Sequence, residues 1–228
     1  MTIPACVVVL FWSGLCAADQ RAIASRQLHQ PIVAAVVAGW ILGEPGRGLL
    51  VGLWMQLVWA TPMPIGGSVL PDMGSAAVAA AVIACAVPGG VGLLVALLVG
   101  LLLAAATIPW ERALRAANGA REDEALACSP VRLTGAIALG VLGPFLRGVI
   151  CVAIAVLLAR AVAPWVGRLP QAEISDALTK ALVGGAAAVG LANLLAGAQK
   201  EGGARWYGWV AGGLLIGAGG RLLLGVWR

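Results

Sequence analysis

Charge is what this chain has least of. Only 11% of its 228 residues are charged, against about a quarter in an ordinary soluble domain, and that scarcity excludes the ordinary soluble domain. Residues 1 to 18, 48 to 71, 73 to 110 and 181 to 199 carry no formal charge at all. Histidine occurs once, and the five cysteines at positions 6, 16, 85, 128 and 151 form no CxxC pair. A zinc site or a Cys/His nucleophile therefore has almost no material, and the cysteines read as small buried hydrophobes. There is no Walker-type Gly-Lys-Ser/Thr loop and no acidic metal cluster, so no cofactor and no metal are expected. The net charge of +5 comes from arginines dispersed between apolar blocks without interleaved aromatics, which excludes nucleic acid as a partner and marks the arginines as topology signals. The first 18 residues lack a Lys/Arg-rich start, so they are expected to stay in the mature chain.

What is abundant is apolar. Hydrophobic residues make up 61% of the chain and its mean hydropathy is +0.97. A helix needs roughly 20 apolar residues to cross a bilayer, which leaves room for about six to eight embedded segments. The fold class expected is all-α: a polytopic membrane protein forming a single transmembrane domain over residues 1–228, with short re-entrant or broken helices.

The first apolar block is Ile3 to Ala18, followed by a polar stretch from Asp19 to Gln30. Two short blocks follow, Pro31 to Gly43 and Leu49 to Ala60, joined by Glu44-Pro45-Gly46-Arg47-Gly48. Each is too short to cross a bilayer, so the pair reads as a re-entrant hairpin turning at 44–48. Thr61 to Gly67, with Pro62 and Pro64, reads as unwound backbone at membrane depth, where transporters place substrate. Met73 to Trp110 reads as two spans with a tight turn near Pro88. Glu111 to Ala127 reads as a surface helix ended by Ser129-Pro130, and Arg112, Arg115, Arg121 and Arg132 place the polar segment 111–132 in the cytoplasm. Leu133 to Val166 reads as an embedded stretch broken at Gly143-Pro144, residues 167 to 180 as a polar loop, and 181–199 and 209–227 as further spans. Similar runs around Gly46-Arg47 and Gly220-Arg221 admit an internal repeat, with coincidence the better reading in so glycine-rich a chain.

Polar side chains stand out in residues 27 to 72: Gln27, His29, Gln30, Glu44, Gln56 and Asp72. At membrane depth such groups are costly, so a functional role is their default. The amide of Gln56 both donates and accepts, which suits a sugar hydroxyl, and Trp54 or Trp59 offers an apolar ring face for its C–H surface. The competing role for Gln56 is helix–helix bonding, and for the tryptophans an interfacial belt. Asp72 reads equally as substrate ligand and as helix cap beside Gly74 and Ser75. Glu44 is a site residue or a solvated loop carboxylate. A lone His29 in a polar loop is more often structural than a phosphoryl acceptor, and Asn193 and Arg147 in apolar spans more often bond between helices.

Gln27-Leu28-His29-Gln30-Pro31, then Gly39, Leu42-Gly43-Glu44, Gly48, Gly52, Gln56 and Pro64-Ile65-Gly66 through Pro71-Asp72 resemble the N-terminal signature of the IIC subunits of mannose/sorbose-type sugar phosphotransferase systems. The motif match covers residues 19–85; beyond it the likeness is compositional. Gln30, Gln56 and Pro64 depart from the family's usual Arg, Glu and Asn, which bears on sugar preference and transport competence.

The resemblance implies a sugar permease of the bacterial inner membrane that pairs with a IID membrane subunit. It also implies that the cytoplasmic phosphocarriers IIA and IIB supply the phosphoryl group, so that this chain belongs to a phosphotransferase complex while carrying no catalytic residue itself. Substrate-binding residues expected on these grounds are Gln56, Asp72, Gln27, Glu44 and Trp54. The reading also admits a homo-oligomer of the chain. The apolar architecture alone equally admits a secondary transporter, a membrane subunit of an unrelated importer, or a noncatalytic assembly protein.

Overall fold

A computed structural model describes residues 2–20, 27–59, 71–128, 130–168 and 184–185. The expected unwound segment at 61–67, the loop at 167–180 and the spans at 181–199 and 209–227 lie wholly or largely outside these residues, as do Asn193 and the second half of the internal repeat. Among the described residues the chain order is α1 (Ile3–Asp19), α2 (Pro31–Ile41), α3 (Pro45–Val58), α4 (Met73–Ala86), α5 (Gly89–Cys128) and α6 (Pro130–Val166).

Helix α4 is the axis on which the rest packs, and it touches all five others. Its sequence, Met73-Gly-Ser-Ala-Ala-Val-Ala-Ala-Ala-Val-Ile-Ala-Cys-Ala86, presents small apolar side chains on every side, and Gly74 through Ala84 are all buried. A helix apolar all round belongs in an interior. At 1.5 Å per residue its 14 residues extend only about 21 Å, short of the roughly 30 Å hydrocarbon layer. Helices α2 and α3, of 11 and 14 residues, are shorter than a span for the same reason, and they pack against each other and against α4 as the expected hairpin.

Small residues set how closely these helices approach. Gly39 and Gly48 face each other across the hairpin: a Cβ on Gly48 would lie 2.5 Å from the Ala35 carbonyl oxygen and 2.9 Å from the Gly39 Cα. Between α1 and α6 the contact is Ser13 against Gly148, whose carbonyl accepts the Ser13 hydroxyl at 2.9 Å. The ring of Phe145 covers Gly14 and meets Phe11 edge-on.

Three expectations are corrected. The turn between the hairpin arms is Leu42–Glu44, and α3 begins at Pro45: proline at the first helical position loses nothing, because that N–H has no partner in any helix. The surface helix expected at 111–127 is not separate from the span before it; α5 runs 40 residues through Pro109. Gly143-Pro144 does not break α6, which continues for 37 residues through Pro144 and Pro164. Each internal proline removes one hydrogen bond, leaving the carbonyls of Ala105, Gly140 and Arg160 without their helical donors, and the helix carries on because its other bonds have no competitor in an apolar setting. Gly89–Gly119 and Ile137–Val166 are each long and apolar enough to cross a membrane. Leu142, Leu146, Ile150 and Ile154 recur every four residues on α6, and Ile3, Val7 and Phe11 do so on α1, all of them exposed. These are stripes fit for lipid or a partner helix.

Candidate functional site

Polar side chains collect where the C-termini of α1 and α3 meet the N-termini of α2 and α4. Gln56, in the last turn of α3, reaches across to α2: its Nε2 donates to Gln30 Oε1 at 3.0 Å, and its Oε1 accepts from the Ile32 N–H at 3.4 Å. Gln30 Nε2 in turn donates to Gln27 Oε1 at 2.8 Å. Three amides thus form one relay, and Gln56 satisfies an N–H in the first turn of α2 that no helical carbonyl can reach. Close packing makes the bridge, since a Cβ on Gly52 would fall 2.9 Å from the Ile32 Cα.

Asp19 closes α1. It is 1% exposed, and its Oδ2 accepts from the N–H groups of Leu28 at 2.9 Å and His29 at 3.3 Å. The same oxygen lies 2.9 Å from His29 Nδ1. Gln20 follows, donating from Nε2 to the Pro71 carbonyl at 3.2 Å, while its Oε1 is buried without a hydrogen-bond partner among the described residues. The His29 backbone abuts Gly74, where an added Cβ would lie 2.9 Å from the His29 Cα. The amide relay and the start of α4 are therefore neighbours.

Asp72 caps α4. Its Oδ1 accepts from the Ser75 N–H at 3.1 Å, and its own N–H donates to Thr107 Oγ1 at 2.9 Å. Its other oxygen, Oδ2, takes the Nε and Nη2 of Arg147 at 3.2 and 3.1 Å. The remaining arm of Arg147, Nη1, donates to Glu111 Oε2 at 2.6 Å, and Glu111 Oε1 accepts from Arg115 at 3.1 Å. Arg147, Asp72 and Glu111 side chains are 2%, 0% and 6% exposed, so this is a buried charge network joining α4, α5 and α6. Asp72 and Glu111 are the two acids that bound the uncharged run 73–110, and a single guanidinium bridges both.

Of the expected site residues, Gln27, Gln56 and Asp72 come together at this end. Glu44 does not join them: it sits at the far end of α2, about 16 Å away by helical rise, in a cavity of about 380 Å³ with Leu42, Cys85, Ala86, Ala159, Arg160 and Ala163. Trp54 is 2% exposed, inside the hydrophobic core. The bond between helices expected for Arg147 is present, from α6 to Asp72 and to Glu111 on α5, whereas sequence reasoning did not single out Asp19 or Glu111. The signal was present in Arg147, a cation in an apolar block, which requires a carboxylate nearby. Arg47 was read as a topology signal; its Nη1 donates to the Ala84 and Val87 carbonyls, closing the C-terminus of α4 where a cation is favoured.

Short helices buried inside an all-helical membrane protein, with polar groups gathered where their ends meet, are the construction that transporters use. The family is definite: the sequence model of the sorbose-specific IIC component of phosphotransferase systems matches residues 3–201, and the chain belongs to that family. It is 28% identical over 102 residues to the mannose-specific EIIC component of Escherichia coli K12, and equally to that of Shigella flexneri. The matched stretch spans 44% of this chain and 38% of those relatives. A solved structure described as a membrane protein shares the fold over 100% of this chain and 96% of its own, with a TM-score of 0.73 at 18% identity. The mannose transporter ManYZ in complex with microcin E492 aligns with a TM-score of 0.49 at 16% identity, covering 100% of this chain and 95% of that one, too loose to bear on the fold.

Proposed function

We propose that this chain is the sugar-translocating IIC subunit of a mannose/sorbose-type phosphotransferase system, a multi-pass protein of the bacterial inner membrane. The observation that carries the reading is the amide relay Gln56–Gln30–Gln27 lying beside the Asp72–Arg147 pair at the ends of short helices. Neutral amides recognise hydroxyls by donating and accepting at once, and their exchange of one partner for another is nearly neutral in free energy. A sugar hydroxyl taking the place of Gln30 on Gln56 fits that chemistry, with Asp72 as a fixed carboxylate at the same end of the helices. Glu44, at the far end of α2, and Trp54, packed in the hydrophobic core, have no part in the reading.

The phosphoryl chemistry belongs to partners: IID completes the path, and IIA and IIB deliver the phosphoryl group that traps the sugar as its ester. Reconstituted with IID in vesicles and supplied with IIA, IIB and phosphoenolpyruvate, the chain is expected to yield internal labelled sugar phosphate. Gln56→Ala is expected to lower uptake about tenfold at unchanged protein level, the scale of one hydrogen bond to a bound ligand. Accumulation of unmodified sugar by this chain alone, driven by an ion gradient, would instead establish a secondary transporter.

The arginines of 111–132 support a cytoplasmic position for the α5–α6 connection. A cysteine at exposed Ala116, in a background freed of native cysteines, is expected to resist an impermeant thiol reagent in intact cells and to react once the cells are opened.

A further inference from the structure

His29 has no part in the amide relay or in the buried charge network, yet its geometry is that of a ring held ready. Asp19 Oδ2 already accepts two backbone N–H groups, so toward the imidazole it is also the acceptor, and the proton between them belongs to Nδ1. In the neutral ring the lone pair is then at Nε2. No hydrogen bond to Nε2 exists among the described residues, and the side chain keeps 17% of its surface exposed. The turn that presents it is strained: Gln27 holds a φ of +69°, a left-handed conformation costly for a residue with a Cβ. A buried carboxylate fixing one tautomer of an imidazole is the arrangement proteins use when the opposite nitrogen must meet a ligand.

We propose that His29 is a substrate-binding residue whose Nε2 accepts a hydroxyl of the translocated sugar, with Asp19 as the positioning residue that fixes the ring. This rests on the permease reading above and adds a ligand to it. His29 stands in one turn with Gln27 and Gln30, and its backbone lies against Gly74 in the first turn of α4, so the turn that carries the ring stands between the amide relay and the Asp72 cap. The three amides provide donors and acceptors together; Nε2 provides an acceptor alone. That combination selects a neutral polyol with one hydroxyl proton pointed at the imidazole.

The chain holds a single histidine, so ¹⁵N-histidine labelling of the full chain with its IID partner in nanodiscs gives one imidazole to follow. The ring is expected to show the Nδ1–H tautomer, and the Nε2 resonance to move on addition of mannose or sorbose. Asparagine places its amide near Nδ1 and glutamine near Nε2, which separates binding from structure. His29→Gln is expected to keep uptake within a fewfold of wild type through a raised KM. His29→Asn, which preserves the contact to Asp19, is expected to lose about tenfold in uptake efficiency at normal protein level. Wild-type uptake in His29→Asn, or an unmoved resonance at sugar concentrations that saturate uptake, would overturn the proposal and leave the permease reading standing. A resonance that moves with sugar in a protein that neither takes up nor phosphorylates it would keep His29 as a ligand and remove the transport reading.

Discussion

Replacing Arg147 by methionine is expected to abolish accumulation of the folded protein. The guanidinium is the shared partner of Asp72 and Glu111, and its removal leaves two carboxylates buried without it. Breaking a buried ion pair from one side costs about 3–5 kcal/mol, a large part of the 5–15 kcal/mol by which a protein is stable at all. Arg147→Lys is expected to fall between, because an ammonium cannot serve Asp72 through two nitrogens while reaching Glu111 with a third. Combining Arg147→Met with Asp72→Asn and Glu111→Gln is expected to recover folded yield, since the penalty lies in the stranded charges more than in the lost attraction. Monodisperse yield and thermal unfolding in detergent measure all three; a single Arg147→Met variant as stable as wild type would show that the network contributes nothing.

Gly48→Val is expected to be nearly as damaging. The atoms a side chain would meet there are the Ala35 carbonyl and the Gly39 Cα, both backbone, so no rotamer change relieves the clash and the hairpin arms must part. Overpacking of that kind costs about 3 kcal/mol or more. Gly46, two residues earlier, has open space around its Cβ position, and Gly46→Ala is expected to leave stability unchanged. Protease sensitivity of the hairpin in membranes distinguishes the two; equal resistance in both variants would contradict the close approach of α2 and α3.

The sequence made the hairpin and the turn near Pro88 legible, because each is bounded by glycine or proline; the stretch from Met73 to that turn was read as a span, and at 14 residues α4 is too short to be one. It misplaced the boundaries at Pro45 and Pro144, where proline was read as a break, and at Glu111, where the onset of charge was read as the end of the span. Proline at a first helical turn is harmless, and inside a long apolar helix its single lost bond does not outweigh the dozens that remain. The candidate site was legible residue by residue. Gln27, Gln56 and Asp72 stood out because polar groups are costly in apolar surroundings. Which residue each would pair with was not legible, since Asp72 and Arg147 are 75 positions apart and only packing brings them together. Trp54 illustrates the converse: an aromatic at membrane depth is as well used in a core as at a sugar.

The internal prolines of α5 and α6 have a mechanical meaning. Pro109 lies two residues before Glu111 and Pro144 three before Arg147, so each helix lacks a backbone bond close to where the ion pair ties them together. From Pro109 to the end of α5 at Cys128 is about 28 Å of helix at 1.5 Å per residue. Such an arm acts as a lever: tilting it by about 10° at its pivot sweeps the far end through about 5 Å, while atoms beside Arg147 move by a fraction of that. Whatever grips the distal tip has leverage over the ion pair, and any rearrangement of the pair is magnified at the tip.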